Sequence, residues 1–181
     1  MPFSSYTGKD ATIGWFRSHE QTITRILDIG VGSGTYIECI KEKAKVCEAA
    51  EWIGIEVWEP YIKQYNLDER YDIILNQDVR TINWGNMGKF SVALAGDILE
   101  HMTKNEAIAL VENVLNIAEV LVISIPIIYY PQEEYEGNPY EEHIKPDWSH
   151  DEVVATWGHQ ITEMAVMPGA DVGVYLLRKT R

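Results

Sequence analysis

The sequence predicts an α/β fold: one doubly wound sheet of seven strands, mostly parallel, closed by a C-terminal antiparallel hairpin. Three observations predict it. Short β-branched apolar runs alternate with stretches of helical periodicity, which argues for parallel strands joined by crossover helices. The first such run, residues 26–29, passes through Gly30, Gly32 and Gly34 straight into a helical pattern. The last two runs lie around Pro168, Gly169, Ala170 and Asp171, a connection too short for a parallel pair.

The elements follow in order. Residues 12–21 read as a helix with Ile13, Trp15 and Phe16 on or near its apolar face. Residues 25–29 are the first strand and 35–44 the next helix. Residues 52–57 are the second strand, and 60–65 begin a short helix. Residues 72–76 and 90–95 are the third and fourth strands, the latter ending at Gly96 and Asp97. Residues 104–118 place Ala107, Leu110, Val111, Val114 and Leu115 at helical spacing. Residues 120–125 are the fifth strand. Residues 127–149, rich in Tyr, Pro, Glu and Asn, follow neither period, and an aperiodic stretch of that length in a compact domain is functional or mobile. Residues 151–156 form a short helix with Ser149 as N-cap. Residues 161–166 and 172–177 are the closing hairpin. No repeat or linker divides the chain, so residues 1–181 read as one domain.

A chain of 181 residues supports one proper core and scarcely two. Its formal net charge of −13 disfavours non-specific attraction to nucleic acid, because phosphates are repelled. Lys41, Lys43 and Lys45 are interrupted by Glu42 and read as a solvated helix face. Trp15, Trp52, Trp58, Trp84, Trp148 and Trp157 are dispersed and not interleaved with basic residues, which suits core packing and pocket walls better than a base-stacking platform. The longest apolar stretch, residues 120–130, is broken by Ser124 and Pro126 and is too short to span a bilayer. The N-terminus lacks a basic flank followed by an apolar core. Cys39 and Cys47 fall in one predicted helical region about 12 Å apart, too far for a disulfide. Free thiols, no membrane partner and a cytoplasmic location are therefore expected.

The glycine spacing carries the chemistry. A dinucleotide loop wants Gly-x-Gly-x-x-Gly with a pyrophosphate on the helix N-terminus. Here the pattern is Gly30-x-Gly32-x-Gly34, Thr35 fills the slot of the last glycine, and Asp28 stands two residues before the first. A carboxylate beside the loop suits a cationic ligand better than a pyrophosphate. A strand–turn–helix corner that merely needs glycine is the plain alternative. The run Asp28-x-Gly30-x-Gly32-x-Gly34 resembles the first motif of class I S-adenosylmethionine-dependent methyltransferases, whose cofactor carries a sulfonium and an ammonium and no phosphate. The resemblance extends over roughly residues 24–126, and more weakly to the C-terminus. It implies a Rossmann-like sheet, S-adenosylmethionine as cofactor, and transfer of a methyl group to an oxygen, nitrogen or carbon acceptor.

Further motifs fall in the family's order. Glu56, with Val57 beside it, resembles the acid at the end of the second strand that accepts hydrogen bonds from both ribose hydroxyls. It lies 28 residues after Asp28, longer than the usual interval of roughly twenty. Glu59 is the rival acid, but first-turn charge in the following helix explains it. Asp78 and Val79 resemble the acid that binds the adenine amino group and the residue that packs on the ring, although a turn aspartate accounts for Asp78 locally as well. Asp97-Ile98-Leu99-Glu100-His101 resembles the Asp-Val-Leu-Glu-His run of quinone-biosynthesis methyltransferases and adds Asp97 to the cofactor set. Residues 120–126 resemble the family's fifth strand, which often ends in Ser-x-Pro.

The acceptor side is less defined. Residues 138–143 resemble the family segment, with its histidine, that lies over the site, which makes Tyr140 and His143 the expected acceptor contacts. A tyrosine-rich loop is also a good cover for a sheet edge. His101 and His143 are the histidines to nominate as a general base. Residues 127–149 are expected to act as an acceptor-side lid, and residues 1–23 as a cap helix over the cofactor. Asp97, His101, His143, Asp147 and His150 are metal-ligand types, and some related methyltransferases use magnesium. Yet they lack ligand spacing, and Glu100 and His101, as helical neighbours, should diverge. Catalysis without metal is the expectation. The acceptor itself, small molecule or macromolecule, is unidentified, and a homo-oligomer is possible. Two alternatives stay open: a non-catalytic cofactor-binding partner subunit, and an NAD(P)-dependent oxidoreductase. The second is disfavoured by Thr35 and by the lack of a Tyr-x-x-x-Lys pair.

Overall fold

Successive residues of each central strand part to opposite faces of one sheet, and helices cover both faces. The computed structural model describes residues 8–167 and 169–180. The strands are β1 (Arg25–Ile29), β2 (Glu51–Glu56), β3 (Ile73–Asn76), β4 (Phe90–Gly96), β5 (Ala118–Pro126), β6 (Ile161–Ala165) and β7 (Val172–Leu177). They form a seven-stranded sheet in the order β3-β2-β1-β4-β5-β7-β6. The pairs from β3 through β5 are parallel, while β7 runs antiparallel to both β5 and β6. The predicted fold class is the observed one.

The period of two builds two cores. Leu27, Ile29, Ile53, Ala93, Leu121 and Ile123 face one side. There they meet α5 (Lys104–Leu115) through Leu110, Val111 and Val114, and α6 (His150–Trp157) through Val153 and Trp157. Ile26, Trp52, Val92, Leu94, Val120 and Val122 face the other. There they meet α1 (Lys9–His19) through Trp15 and Phe16, and α2 (Thr35–Ile37) through Tyr36 and Ile37. The helix α5 begins on a capping box, in which Thr103 accepts from the Glu106 amide and Glu106 accepts from the Thr103 amide.

Several boundaries differ from the sequence reading. The helix expected over 35–44 is α-helical only to Ile37 and continues as a π-turn, Glu38–Lys43. The amide of Ala44 bonds to the Cys39 carbonyl at 3.1 Å, one residue further back than an α-helix allows. Cys47 is therefore not helical; it follows the turn with a left-handed φ of 55° and is buried, as Cys39 is. Both thiols are free. The helix expected over 104–118 stops at Leu115, because Ala118 already pairs with Phe90 in the sheet. A second short helix, α4 (Leu67–Arg70), follows α3 (Glu59–Gln64) where none was expected. Of the expected N-terminal cap, residues 1–7 lie outside the described residues, as does Pro168 of the hairpin turn. Among the described residues, no helix is long and apolar enough to cross a membrane.

The stretch 127–149 is pinned at its far end. Trp148 is 1% exposed and stacks on Trp157, with ring centroids 5.3 Å apart. The ammonium of Lys145 lies 4.7 Å from the Trp148 ring centroid. Trp148→Ala should cost about 3–5 kcal/mol through the cavity it leaves. Urea denaturation of both proteins measures it; a loss below about 1 kcal/mol would mean that the stretch contributes nothing to the core.

Candidate functional site

In a parallel sheet, a crevice opens where strand order reverses, outside the carboxyl ends of the strands. Here β1 lies between β2 and β4, and the crevice holds a cavity of about 410 Å³. Gly30, Gly32, Glu56, Val57, Asp78 and Val79 line its one end, and Asp97, Glu100, His101, Tyr140 and His143 its other. The structure thus brings most of the sequence-predicted site residues to one cavity. Asp28 and Gly34 are not in its wall.

The glycine loop is hung from the end of β2. The amides of Gly30 and Val31 both bond to the Ile55 carbonyl, at 2.9 and 3.1 Å. Glu56 completes the tie: its Oε2 accepts from the Gly32 amide and its Oε1 from the Trp58 amide, each at 2.8 Å. Burial raises the Glu56 pKa in spite of these amides. Gly30 and Gly34 are glycines for packing reasons as well as for their left-handed φ values of 67° and 78°. A Cβ on Gly30 would stand 2.6 Å from Cδ1 of Ile98, and one on Gly34 would strike the Arg70 guanidinium.

Asp28 lies under the loop. It accepts a hydrogen bond from the Tyr71 hydroxyl at 2.6 Å. Burial pushes its carboxyl up to about 7, against that hydrogen bond and the charges of Lys9 and Arg70. Arg70 clamps the loop from behind, donating to the carbonyls of Ser33 and Gly34 at 2.8 and 3.0 Å and to Glu42 at 2.7 Å. Lys9 is 2% exposed and sits over the Tyr36 ring at 4.0 Å. Burial opposes its charge, but Tyr36, Asp97 and Asp28 outweigh it and hold the pKa above the ordinary value. Sequence reasoning missed Arg70, Tyr71 and Lys9; each acts on residues far away in the chain.

Asp78 caps the one-turn helix Val79–Thr81 through the Arg80 amide and also takes the Arg80 guanidinium, with contacts of 2.6 to 3.0 Å. The Arg80 hydrogen bond outweighs partial burial and holds its pKa low. The turn reading of Asp78 therefore holds beside its place in the cavity wall. Asp97 adopts a left-handed φ of 51°, uncommon outside glycine, and its Oδ1 accepts from the Ser124 hydroxyl at 3.3 Å.

At the far end, Glu100, His101 and His143 each bring a ligand-type atom within 4.8 Å of the others. The expected divergence of Glu100 from His101 fails because they share a 3-10 turn, Leu99–His101, and not an α-helix. His143 then arrives from the stretch after β5. Burial, with His143 alongside, lowers the His101 pKa to about 4, and burial lowers that of His143. Burial, followed by the charge of Asp97, raises Glu100 well above the carboxylate range. Tyr140 stands 40% exposed at the rim, its ring 6.4 Å from that of Trp58.

No protein-family model and no curated protein matches the chain by sequence. Solved structures do match it in shape. An S-adenosylmethionine-dependent methyltransferase from Clostridium acetobutylicum superposes with a TM-score of 0.70 at 13% identity, over 96% of this chain and 92% of its own. The fold is one that solved methyltransferases share. The N-terminal domain of EvdMO1, solved with SAH bound, gives a TM-score of 0.69 at 15% identity, over 98% of this chain and 83% of that one. Magnesium protoporphyrin IX methyltransferase from Synechocystis, solved with bound SAM, gives 0.66 at 14%, over 96% and 79%.

The Asp28 environment has a consequence for pH. Its folded pKa of about 7 exceeds that of a free aspartate, so the unfolded chain loses the proton first. This group's contribution to stability is present at low pH and is lost as pH rises between about 4 and 7. Asp28→Asn should remove that fall, changing the slope of stability against pH by up to roughly 1.4 kcal/mol per unit. Urea midpoints across that range decide; identical slopes in the two proteins would overturn the assignment.

Proposed function

We propose that the chain is an S-adenosylmethionine-dependent methyltransferase acting on an oxygen, nitrogen or carbon acceptor. One observation carries this reading: the cavity under the glycine loop is acidic. Glu56, Asp78, Asp97, Glu141 and Asp171 line it, against the guanidinium of Arg80, while burial favours the neutral form of Glu100 beside them. Such a wall repels a pyrophosphate and attracts a sulfonium and an ammonium, which disfavours the NAD(P) alternative. The likeness of Asp97–His101 to the quinone-biosynthesis group is the finer form of the same reading.

The residues fit the cofactor. A carboxylate offers about four acceptor sites, so Glu56 keeps lone pairs for two ribose hydroxyls after accepting two amides. Val57, Asp78 and Val79 line the same end of the cavity and would take the adenine. Gly30 and Gly32 let the backbone approach the ligand, and Asp97 offers a carboxylate to the ammonium end. Asp28 and Gly34 act from behind, setting the loop's charge and shape. When bound, S-adenosylmethionine supplies an already activated methyl, so no enzymic nucleophile is needed. The protein's share is to align the acceptor and keep water out.

Tyr140 and His143 stand where an acceptor would enter. Residues 127–149 are proposed as a lid over that entrance: Tyr129 is 72% exposed near its start, while Trp148 anchors its end. An oxygen or nitrogen acceptor can need its proton removed, and His101 and His143 are placed to take it. With a pKa of about 4, His101 holds a proton weakly, which shifts that duty towards His143.

Two measurements test the reading. S-adenosylmethionine or its demethylated product at ~100 times the dissociation constant should stabilise the fold by roughly 2.7 kcal/mol, while NAD(H) should not. Stabilisation by NAD(H) alone would sink it. In calorimetric titrations, Glu56→Ala should weaken cofactor binding by about 1.5–3 kcal/mol, and Glu59→Ala, on an exposed residue paired with Lys63, should not. Equal losses would mean that the ribose acid is misplaced.

A further inference from the structure

The acceptor end of the cavity gathers three ligand-type side chains, Glu100, His101 and His143, with their ligand atoms within 4.8 Å of one another. Glu100 is 2% exposed, and its Oε2 is buried with no hydrogen-bond partner. Leaving a buried carboxyl oxygen without a partner is costly in either protonation state, so such an atom calls for an unseen partner. Two imidazoles stand beside it, edge to face with centroids 4.7 Å apart.

The tautomer of each imidazole follows from its backbone partner. Nδ1 of His101 lies 3.1 Å from the Glu142 carbonyl, and Nδ1 of His143 lies 2.6 Å from the Tyr130 carbonyl. A carbonyl can only accept, so both Nδ1 atoms carry the hydrogen and both Nε2 atoms keep the lone pair. An imidazole oriented by a backbone carbonyl at one nitrogen is the arrangement that presents the other to a metal ion. Backbone hydrogen bonds hold Glu100 and His143 from the same stretch. The Lys145 amide bonds to the Glu100 carbonyl at 2.9 Å, and the His143 amide to the Gln132 carbonyl at 2.9 Å.

We propose that Glu100, His101 and His143 bind one divalent transition-metal cation at the acceptor end of the cavity. Donors bonded at about 2.0–2.2 Å to one ion lie roughly 3–4 Å apart, so the present separations of up to 4.8 Å close with small side-chain shifts. Two nitrogens and one carboxylate favour zinc, manganese or iron(II) over magnesium, which prefers oxygen donors. All three residues line the cavity, so the remaining coordination positions face it. There the ion takes an acceptor oxygen and eases loss of its proton to water. The two histidines then hold the ion instead of the proton, and the acceptor is an oxygen-bearing one. This last step rests on the methyltransferase reading; the binding site itself does not.

The test uses the chelator-treated chain without cofactor or turnover, so it can fail while the cofactor still binds, and the reverse. Zinc is titrated by calorimetry and by nitrogen-15 NMR of the histidine rings. One saturable site is expected, with the Nε2 signals of His101 and His143 shifting together and those of His19, His150 and His159 unmoved. Magnesium should bind more weakly. Glu100→Gln should lower zinc affinity by about tenfold or more, its own melting curve showing that it folds. The proposal is overturned by any of three results: no saturable binding, shifts spread evenly over the other histidines, or wild-type zinc affinity in Glu100→Gln. The wild-type NMR titration stands even if the variant fails to fold.

Discussion

The cleft depends on one buried carboxylate. Glu56 ends β2 and accepts amides from two different segments, Gly32 of the glycine loop and Trp58 at the start of the next crossover. Both bonds are charge-assisted, and both lie in a water-poor setting where such bonds are strong and their loss is costly. The loop after β1 has only three residues of α-helix behind it before the π-turn begins. Its position is therefore set by the sheet it hangs from more than by the helix it feeds. Arg70 supplies the opposing hold from the rear, so the loop is gripped on both sides.

Much of this was legible in the sequence, for a physical reason. Each strand is a short apolar run whose alternate residues serve two cores, and the turn after β1 needs glycine at positions that a side chain would block. Local pattern therefore sufficed for the strands, for the glycine loop and for the position of Glu56 at the end of β2. What escaped depends on distant partners. Arg70 reaches the loop across 37 residues, and Tyr71 reaches Asp28 across 43. The convergence of Glu100 with His143 needs a loop to fold back across the cleft. The π-turn has no signal in periodicity, since its residues carry ordinary helical spacing; the burial of Ile40, Val46 and Cys47 in one core goes with it.

Charge is distributed with a similar logic. The chain carries −13 overall, and the cleft concentrates acids. Arg80 offsets Asp78 in the cavity wall, Lys9 acts on Asp97 and Asp28, and Arg70 sits behind the wall against Asp28 and Glu42. Without that placement, the carboxylates at the strand ends would repel one another at close range.

The position of β7 has a consequence for the order in which the molecule can form. It is seventh in the chain but sits between β5 and β6, so the second edge of β5 stays unpaired, and β6 has no neighbour, until residues 172–177 are available. On a ribosome, the β5 edge stays open through the synthesis of the next fifty or so residues, exposing a long apolar strand with unpaired amides and carbonyls. The α/β core can assemble first, but its seal is applied last, by a hairpin entering as a unit. The free edge of β5 therefore has to be kept from other strands until residues 172–177 are available to cover it.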